Sequence, residues 1–159
     1  MKKILIALDY NPEAQEVAER GYDFAKAMHA EVILLHVIAD PIFYSSTVYS
    51  PIMGFGGYTD LDFLEPDILK EIVKSSLHFL KQTKRHLGDN LTISTMVIEG
   101  DTAEGILEVA QENEVDMVIV GAHTKKWMEE FLLPSVTRKI LRETTIPTLI
   151  IPTKVLLKK

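Results

Sequence analysis

The stretch "KILIALD" (Lys3–Asp9) decides the fold of this chain. Its residues form a near-continuous apolar run, which is typical of a parallel strand covered on both faces. The run ends at a carboxylate, at the position where a strand of such a sheet meets its loop. Four further apolar stretches predict strands for the same reason: Glu31–Val37, Leu91–Glu99, Val115–Ala122 and Pro147–Pro152.

Helical stretches separate these strands. Between the first two, apolar residues recur at spacings of three and four, which indicates an amphipathic helix. The four predicted helices are Pro12–Met28, Pro66–Leu87, Thr102–Asn113 and Ser135–Arg142. Strict alternation of strand and helix implies βαβ units with right-handed crossovers. We therefore predict a doubly wound α/β fold, with a five-stranded, mostly parallel sheet and helices on both faces.

Composition limits the classes of protein to consider. The chain has 159 residues, of which 47% are hydrophobic and 25% charged, and these values fit one domain, residues 1–153, with a tail at 154–159. A net charge of −6 argues against nucleic acid as a partner. The absence of cysteine excludes disulfides and thiolate catalysis and leads us to expect a cytoplasmic protein. The apolar run before Asp9 is too short for a signal peptide or a membrane span.

One connection, residues 38–65, is far longer than the roughly 2–6 residues usual between strand and helix. It contains several aromatic residues and glycines, so it could fold over a site as a lid or pack on itself at the surface. We favour the surface loop, because loops without a chemical role are commoner than lids.

Candidate ligand contacts follow the first and fourth strands. In an open α/β sheet, ligands bind outside the carboxyl ends of the strands, where the strand order reverses. Asp9 could accept hydrogen bonds from a ribose hydroxyl or an amine, or hold a metal; equally, it could cap the following helix. The segment Gly121–Thr124 follows the fourth strand and is the second candidate.

Other motifs have structural explanations. Asp101 and Glu104 have the spacing of a helix capping box, and Gly54–Gly57 lacks the strand and the lysine of a phosphate-binding P-loop. The five histidines lack the close spacing of a zinc site, and His36, inside an apolar strand, is expected to be a satisfied core imidazole. No serine lies on a G-x-S-x-G turn. We therefore predict neither a catalytic centre nor a metal site.

Four segments carry a resemblance to a known family: "KKILIALD", "VILLHV", "EGDTAEGILEVAQENEVDMVIVGAH" and "SVTRKILRETTIPTLIIP". Together they resemble the universal stress proteins of the UspA type. The resemblance implies a Rossmann-like fold of the adenine nucleotide alpha hydrolase type, with strand order 3-2-1-4-5. That order would bring Asp9 and Gly121 together. It also implies a cytoplasmic homodimer that pairs through the apolar last strand.

Many members of that family bind ATP through the motif G-x2-G-x9-G-[ST]. Here Gly121 and Ser135 keep its spacing, but Thr124 and Pro134 stand at the second and third glycine positions. Backbone N–H groups hold the phosphates in such a loop, and glycine permits their close approach. Thr124 adds a side chain, although its hydroxyl could donate a hydrogen bond. Pro134 has no N–H, so it removes one phosphate donor.

The resemblance also assigns roles to the retained positions. Asp9 would contact the ribose or the adenine, and the backbone of Val37 would contact the adenine. The phosphates would face three residues: Gly121, Ser135 and Val136. From the degenerate motif we predict a regulatory dimer in stress response, with weak or absent ATP binding, that acts through protein partners. The alternative is a signalling module that binds ATP or AMP, with Mg²⁺. In neither case is an enzyme expected beyond very slow ATP hydrolysis, nor a membrane partner.

Overall fold

The computed structural model describes residues 1–10, 12–39, 66–124 and 134–154. Within these ranges, strands and helices alternate along the chain. The strands are β1 (Lys3–Ala7), β2 (Glu31–Ile38), β3 (Ile93–Glu99), β4 (Met117–Thr124) and β5 (Thr148–Lys154). The helices are α1 (Ala14–Ala27), α2 (Pro66–Leu87), α3 (Thr102–Glu112) and α4 (Ser135–Glu143).

The strands form one parallel sheet in the order β3-β2-β1-β4-β5. This order confirms both the predicted doubly wound fold and the order that the family resemblance implied. β1 lies at the centre, paired with β2 up to Ala7 and Leu35 and with β4 up to Ala7 and Val120. The chain reverses direction across the sheet at β1, which makes the end of this strand the switch point.

Each face of the sheet has its own hydrophobic layer. On one face, Ile4 and Ile6 of β1 pack with Val17 of α1 and Leu80 of α2. On the other, Leu5 belongs to a second layer that includes residues of α3 and α4. Successive residues of β1 thus point to opposite layers, and both are buried, as the continuous apolar pattern predicted.

Two strands extend further than the sequence predicted. β4 continues past Ala122 and β5 continues past Pro152, and the two remain paired up to Thr124 and Lys154. The N–H of Val118 bonds to the carbonyl of Pro147, so the odd-numbered residues of β5 face β4. Pro152, an even-numbered residue, faces the outer edge, where a missing N–H removes no bond to β4. A proline at this position therefore does not end the strand.

The long connection and the tail lie mostly outside the described residues. β2 runs to Ile38, and residues 40–65 are not among those described, so the choice between a lid and a surface loop stays a prediction. Residues 155–159 of the predicted tail are outside as well. Among the helices of the described ranges, none is long and apolar enough to cross a membrane.

Candidate functional site

A cleft of about 410 Å³ lies at the carboxyl ends of β1, β2 and β4, within the usual size range of small-molecule sites. Its walls are mostly apolar, with a few polar groups. Four of the six predicted contacts line it: Asp9, Val37, Gly121 and Val136. The other lining residues are Ala7, Leu8, Glu13, Ala14, Val17, Leu35, His36, Ala39, Thr102, Ile106, Val120, Pro134, Thr137 and Thr153.

The cleft exists because β1 is shorter than its neighbours. Pairing with β1 stops at Leu35 of β2, whereas β2 continues to Ile38. The carbonyl of Leu35 faces β1 and that of Ile38 faces β3, because they accept from Leu8 and Gly100. The backbone polar groups of successive residues point to opposite sides of a strand. The N–H and C=O of Val37 therefore point to the β1 side of β2, past the residue at which β1 ends. This is the orientation that a contact between the Val37 backbone and a ligand requires.

Asp9 lies at the rim of the cleft, two residues after β1 ends. Its side chain is exposed. The preceding residue, Leu8, stays attached to the sheet through its N–H, which donates to the carbonyl of Leu35 at 2.8 Å. The carboxylate is therefore held by a short, anchored stretch of backbone rather than by a long loop, and a carboxylate at this position can accept hydrogen bonds from a polar ligand.

The carbonyl of the same residue, Leu8, accepts a hydrogen bond from His36. Nδ1 of His36 lies 2.7 Å from this oxygen, and the ring is 2% exposed. Because a carbonyl can only accept, Nδ1 carries the proton. Burial lowers the pKa of His36, against the smaller opposing effects of this bond and of the Asp9 charge. The expectation of a satisfied core imidazole is confirmed, but the ring also lines the cleft, which the sequence did not indicate.

Tyr10 connects the residues that follow β1 to helix α2. Its ring meets the ring of His36 edge-on, with centroids 5.3 Å apart at 82°. It also stacks on Phe79 of α2, with centroids 5.0 Å apart at 29°. Offset stacking and edge-to-face contacts are both favourable arrangements of aromatic rings. The two neighbours of Asp9 are therefore both in contact with His36.

Gly121 has a packing reason for lacking a side chain. A Cβ atom built on this residue would lie 2.6 Å from Cγ2 of Val17. Helix α1 therefore lies close to β4 because position 121 is a glycine. The sequence assigned Gly121 to the phosphate motif; in the structure it also sets the distance between helix and strand at the wall of the cleft.

The start of α4 forms another wall. Pro134 occupies the N-cap position with φ of −52° and ψ of 149°, and Ser135 is the first helical residue. The proline carbonyl accepts the first helical bond, from Arg138, so the helix begins at Ser135, as the sequence predicted. Ser135 is exposed and is not among the lining residues, whereas Val136 and Thr137 are.

Thr124 lies at the end of β4 rather than in a loop. Its backbone pairs with Lys154, and its side chain is outside the described part of the structure. The sequence placed this residue in the connection after the fourth strand, but continued pairing with β5 keeps it in the sheet. The segment 125–133 that follows is also outside the described residues.

Asp101 and Lys139 connect the start of α3 to the middle of α4. Asp101 is the N-cap of α3 and accepts from the N–H of Glu104 at 2.9 Å, as the capping pattern predicted. Nζ of Lys139 lies 3.3 Å from Oδ1 of Asp101 and 3.0 Å from Oε1 of Glu104. The N–H of Glu104 and then Lys139 hold the pKa of Asp101 below its usual value. Both helices contribute residues to the cleft, so this contact connects two of its walls.

Several contributors to the cleft were not predicted from the sequence. Thr102, Thr137 and Thr153 come from α3, α4 and β5 and supply hydroxyl groups to its lining. Their signal in the sequence is weak, because a threonine near the end of a strand or helix has many common roles. Over the described ranges, no group of three or more His, Asp or Glu side chains could hold a metal ion.

A doubly wound parallel sheet with a mostly apolar cleft beyond its central strand is the architecture of the Rossmann-like α/β class, in which this is the place where ligands bind. The sequence model of the universal stress protein family matches residues 1–152. The chain belongs to the universal stress protein family.

Individual relatives resemble the whole chain. Universal stress protein MJ0577 of Methanocaldococcus jannaschii is 28% identical over 156 residues, which are 96% of each chain. The solved structure of MJ0577 matches with a TM-score of 0.73 over 97% of both chains, at 25% identity.

Two more distant structures share the fold. One is the universal stress protein from Archaeoglobus fulgidus in complex with dAMP, with a TM-score of 0.59 at 17% identity over 95% of this chain and 98% of that one. The other is a universal stress protein in complex with cAMP, with a TM-score of 0.57 at 16% identity over 94% of this chain and 95% of that one.

Proposed function

We propose that this protein is a regulatory universal stress protein that binds an adenine nucleotide mainly through its nucleoside part, with weak retention of a triphosphate. The observation that carries the proposal is the cleft beyond β1, which combines mostly apolar walls with the Asp9 carboxylate at its rim. Flat apolar walls suit a purine base, and a carboxylate suits the hydroxyl groups of a ribose.

The backbone geometry supports adenine in particular. The N–H and C=O of Val37 lie on the β1 side of β2, past the last residue of β2 that pairs with β1. A backbone donor beside an acceptor matches the donor and acceptor on the edge of an adenine base. The two distant structures described above bind dAMP and cAMP, which are adenine nucleotides with one phosphate each.

The phosphate end of the cleft supports weak retention of ATP. Pro134 lines the cleft without an N–H, and Ser135 is exposed and away from the lining. Lys139, on the same helix, is engaged by Asp101 and Glu104. From the described residues, a second and third phosphate would therefore gain few charge-assisted hydrogen bonds, and we expect the affinity for ATP to exceed that for AMP only slightly.

We further propose that the protein is not an enzyme beyond very slow ATP hydrolysis. The imidazole of His36 is 2% exposed, so little of the ring can reach a substrate as a general base. In its place we propose signalling by occupancy of the cleft, transmitted to protein partners in the cytoplasm.

The first experiment measures thermal unfolding with and without AMP and with ATP and Mg²⁺. A ligand at 100 times its dissociation constant adds about 2.7 kcal/mol to the free energy of unfolding, a shift that is easily seen. We expect stabilisation by AMP, a similar effect of ATP, and a smaller but measurable effect of both in Asp9→Ala. Stability that no adenine nucleotide changes would instead indicate a stress protein that acts through partners without a nucleotide.

Dimerisation through β5 is the second part of the proposal. Residues 148, 150 and 152 of this edge strand direct their backbone polar groups away from β4, so a second β5 could pair with them about a twofold axis. Ile150→Pro removes one outward N–H without removing a bond to β4. We expect a folded monomer by sedimentation, whereas Ile150→Ala, which keeps the N–H, stays a dimer. A monomeric wild type would overturn this part.

A further inference from the structure

Both neighbours of Asp9 in the chain contact one side chain, that of His36. On one side, the carbonyl of Leu8 accepts from Nδ1 at 2.7 Å. On the other, the ring of Tyr10 meets the imidazole edge-on at 5.3 Å. The ring itself is fixed, since it is 2% exposed and sits on β2 inside the sheet. His36 is therefore placed to determine where the backbone of Asp9 lies.

The hydrogen bond to Leu8 occupies a position that belongs to the backbone in a regular sheet. The N–H of Leu8 donates to the carbonyl of Leu35. If the parallel pairing continued regularly, the carbonyl of Leu8 would next accept from the N–H of Val37. The imidazole of His36 binds that carbonyl from the side, where β1 leaves the sheet. A side chain thus replaces a backbone donor at the point where the cleft begins, and the Val37 N–H is left to face the cleft.

The aromatic contact holds the other side of Asp9. Tyr10 is half-exposed, yet its ring is enclosed between His36 and Phe79, which it stacks upon at 5.0 Å. Phe79 lies on α2, a different element from β2. The segment from Leu8 to Tyr10 is consequently tied to two elements, and Asp9 is the residue between the two attachments.

We propose that His36 is the positioning residue of the cleft: through Leu8 and Tyr10 it holds Asp9 in the place where a nucleotide ribose meets it, and it leaves the Val37 N–H to the base. This inference rests on the proposed nucleotide function and adds how the site is organised. Without the imidazole, the segment would lose two attachments, the bond to the Leu8 carbonyl and the edge contact with Tyr10, and Asp9 would spend less of its time in the binding position. The apparent affinity would fall in proportion to that time.

The test compares two substitutions of His36. Asn places an amide N–H close to the position of Nδ1, whereas Leu fills the space without a donor. We expect His36→Leu to bind AMP about tenfold more weakly than wild type by calorimetry, which corresponds to the bound geometry being present about a tenth of the time. His36→Asn should restore most of the affinity. Circular dichroism and urea unfolding establish which variants are folded.

A double-mutant cycle separates positioning from general stability. If His36 acts through Asp9, His36→Leu should weaken AMP binding in the wild type but not further in an Asp9→Ala background, while its effect on unfolding is the same in both. Equal losses of affinity in the two backgrounds would overturn the proposal and leave the nucleotide function standing. Tyr10→Leu, at a half-exposed position, should show the same non-additivity, and it replaces His36→Leu if that variant does not fold.

A measurement without ligand decides the case in which wild type binds no adenine nucleotide. Backbone ¹⁵N relaxation of Asp9 should give an order parameter of about 0.85 in wild type and His36→Asn, and below about 0.6 in His36→Leu. Histidine ¹⁵N shifts should show Nδ1 protonated and Nε2 unprotonated. An equally rigid Asp9 in all three proteins would overturn the positioning role, whatever the fate of the nucleotide function.

Discussion

Gly121 and Val17 are in such close contact that a Cβ atom at position 121 would lie 2.6 Å from Cγ2 of the valine. Gly121→Ala must therefore displace α1 or force Val17 out of its rotamer. We expect a loss of about 1–3 kcal/mol in the free energy of unfolding, as for other over-packed cores, together with weaker AMP binding because the wall of the cleft moves. Urea unfolding and calorimetry measure the two effects.

The control for this prediction is the double variant Gly121→Ala with Val17→Ala. Removing Cγ2 removes the clash, so the double variant should be more stable than the sum of the single losses predicts. Gly100→Ala serves as the matched comparison, since Gly100 has φ of 136° and open space around it. The stability lost in Gly100→Ala comes from the backbone conformation, so Val17→Ala should not reduce that loss. Additive losses at position 121 would contradict the packing explanation.

Restoring the glycine motif should restore selectivity for ATP. In Thr124→Gly with Pro134→Gly, backbone N–H groups regain access to phosphates at the start of α4. One charge-assisted hydrogen bond contributes about 1.5–3 kcal/mol, so the ratio of ATP to AMP affinity should rise about tenfold or more. Calorimetric titration with each nucleotide in the presence of Mg²⁺ measures the ratio.

Pro134→Ala is the matched control for that experiment. It returns the N–H but not the conformational freedom of glycine, so it separates the two effects. A ratio in Pro134→Ala as high as in the glycine variant would assign the selectivity to the missing donor alone. An unchanged ratio in both variants would show that the degenerate motif does not limit ATP binding.

Protonation of His36 should reduce stability at mildly acid pH. Burial lowers its pKa in the folded state below the value of about 6.5 in the unfolded chain, so the unfolded state takes up more protons between the two values. The stability from this group is complete above about pH 6.5 and is lost as the pH falls toward the lowered pKa. Asp9 and Tyr10 are the ionisable neighbours, and the Asp9 charge opposes the shift.

The measurement compares urea unfolding of wild type and His36→Asn between about pH 8 and about pH 5. The wild type should lose more stability than the variant over this range, because Asn does not titrate. Parallel pH profiles for the two proteins would show that His36 titrates alike in the folded and unfolded states, so that its burial has no energetic consequence.

The contact between Asp101 and Lys139 should matter most above the titration range of the carboxylate. The pKa of Asp101 is lowered by the N–H of Glu104 and by Lys139, so its stabilising effect is present above about pH 3.9 and is lost as the pH falls through the lowered pKa. Asp101→Ala should lower the urea midpoint at neutral pH, by less than Gly121→Ala does, and the difference from wild type should narrow in acid. Asp101→Asn still caps the helix but removes the negative charge, so its difference from wild type measures the contribution of the charge alone.

The sequence predicted the fold well because its strongest signal, buried apolar strands alternating with amphipathic helices, is local. It predicted the strand ends less well, since pairing between β4 and β5 carries both strands past residues that usually end a strand, such as Pro152. In the cleft, residues that follow the strands, such as Asp9, could be found from the rule that ligands bind beyond the carboxyl ends of the strands. His36 could not, because its role depends on the Leu8 carbonyl 28 positions earlier in the chain.

Thr153 belongs to the edge strand β5 and also lines the cleft, with its hydroxyl 3.5 Å from the carbonyl of Ala122. If the dimer forms as proposed, this one strand has an inner face toward the cleft and an outer edge toward a second copy of the chain. If nucleotide binding tightens the dimer by some factor, dimer formation must tighten nucleotide binding by the same factor, since the two equilibria share one thermodynamic cycle. The nucleotide concentration at which the protein is half-occupied would then depend on the concentration of the protein itself. A cell that changes the abundance of this protein would therefore change the nucleotide concentration to which it responds.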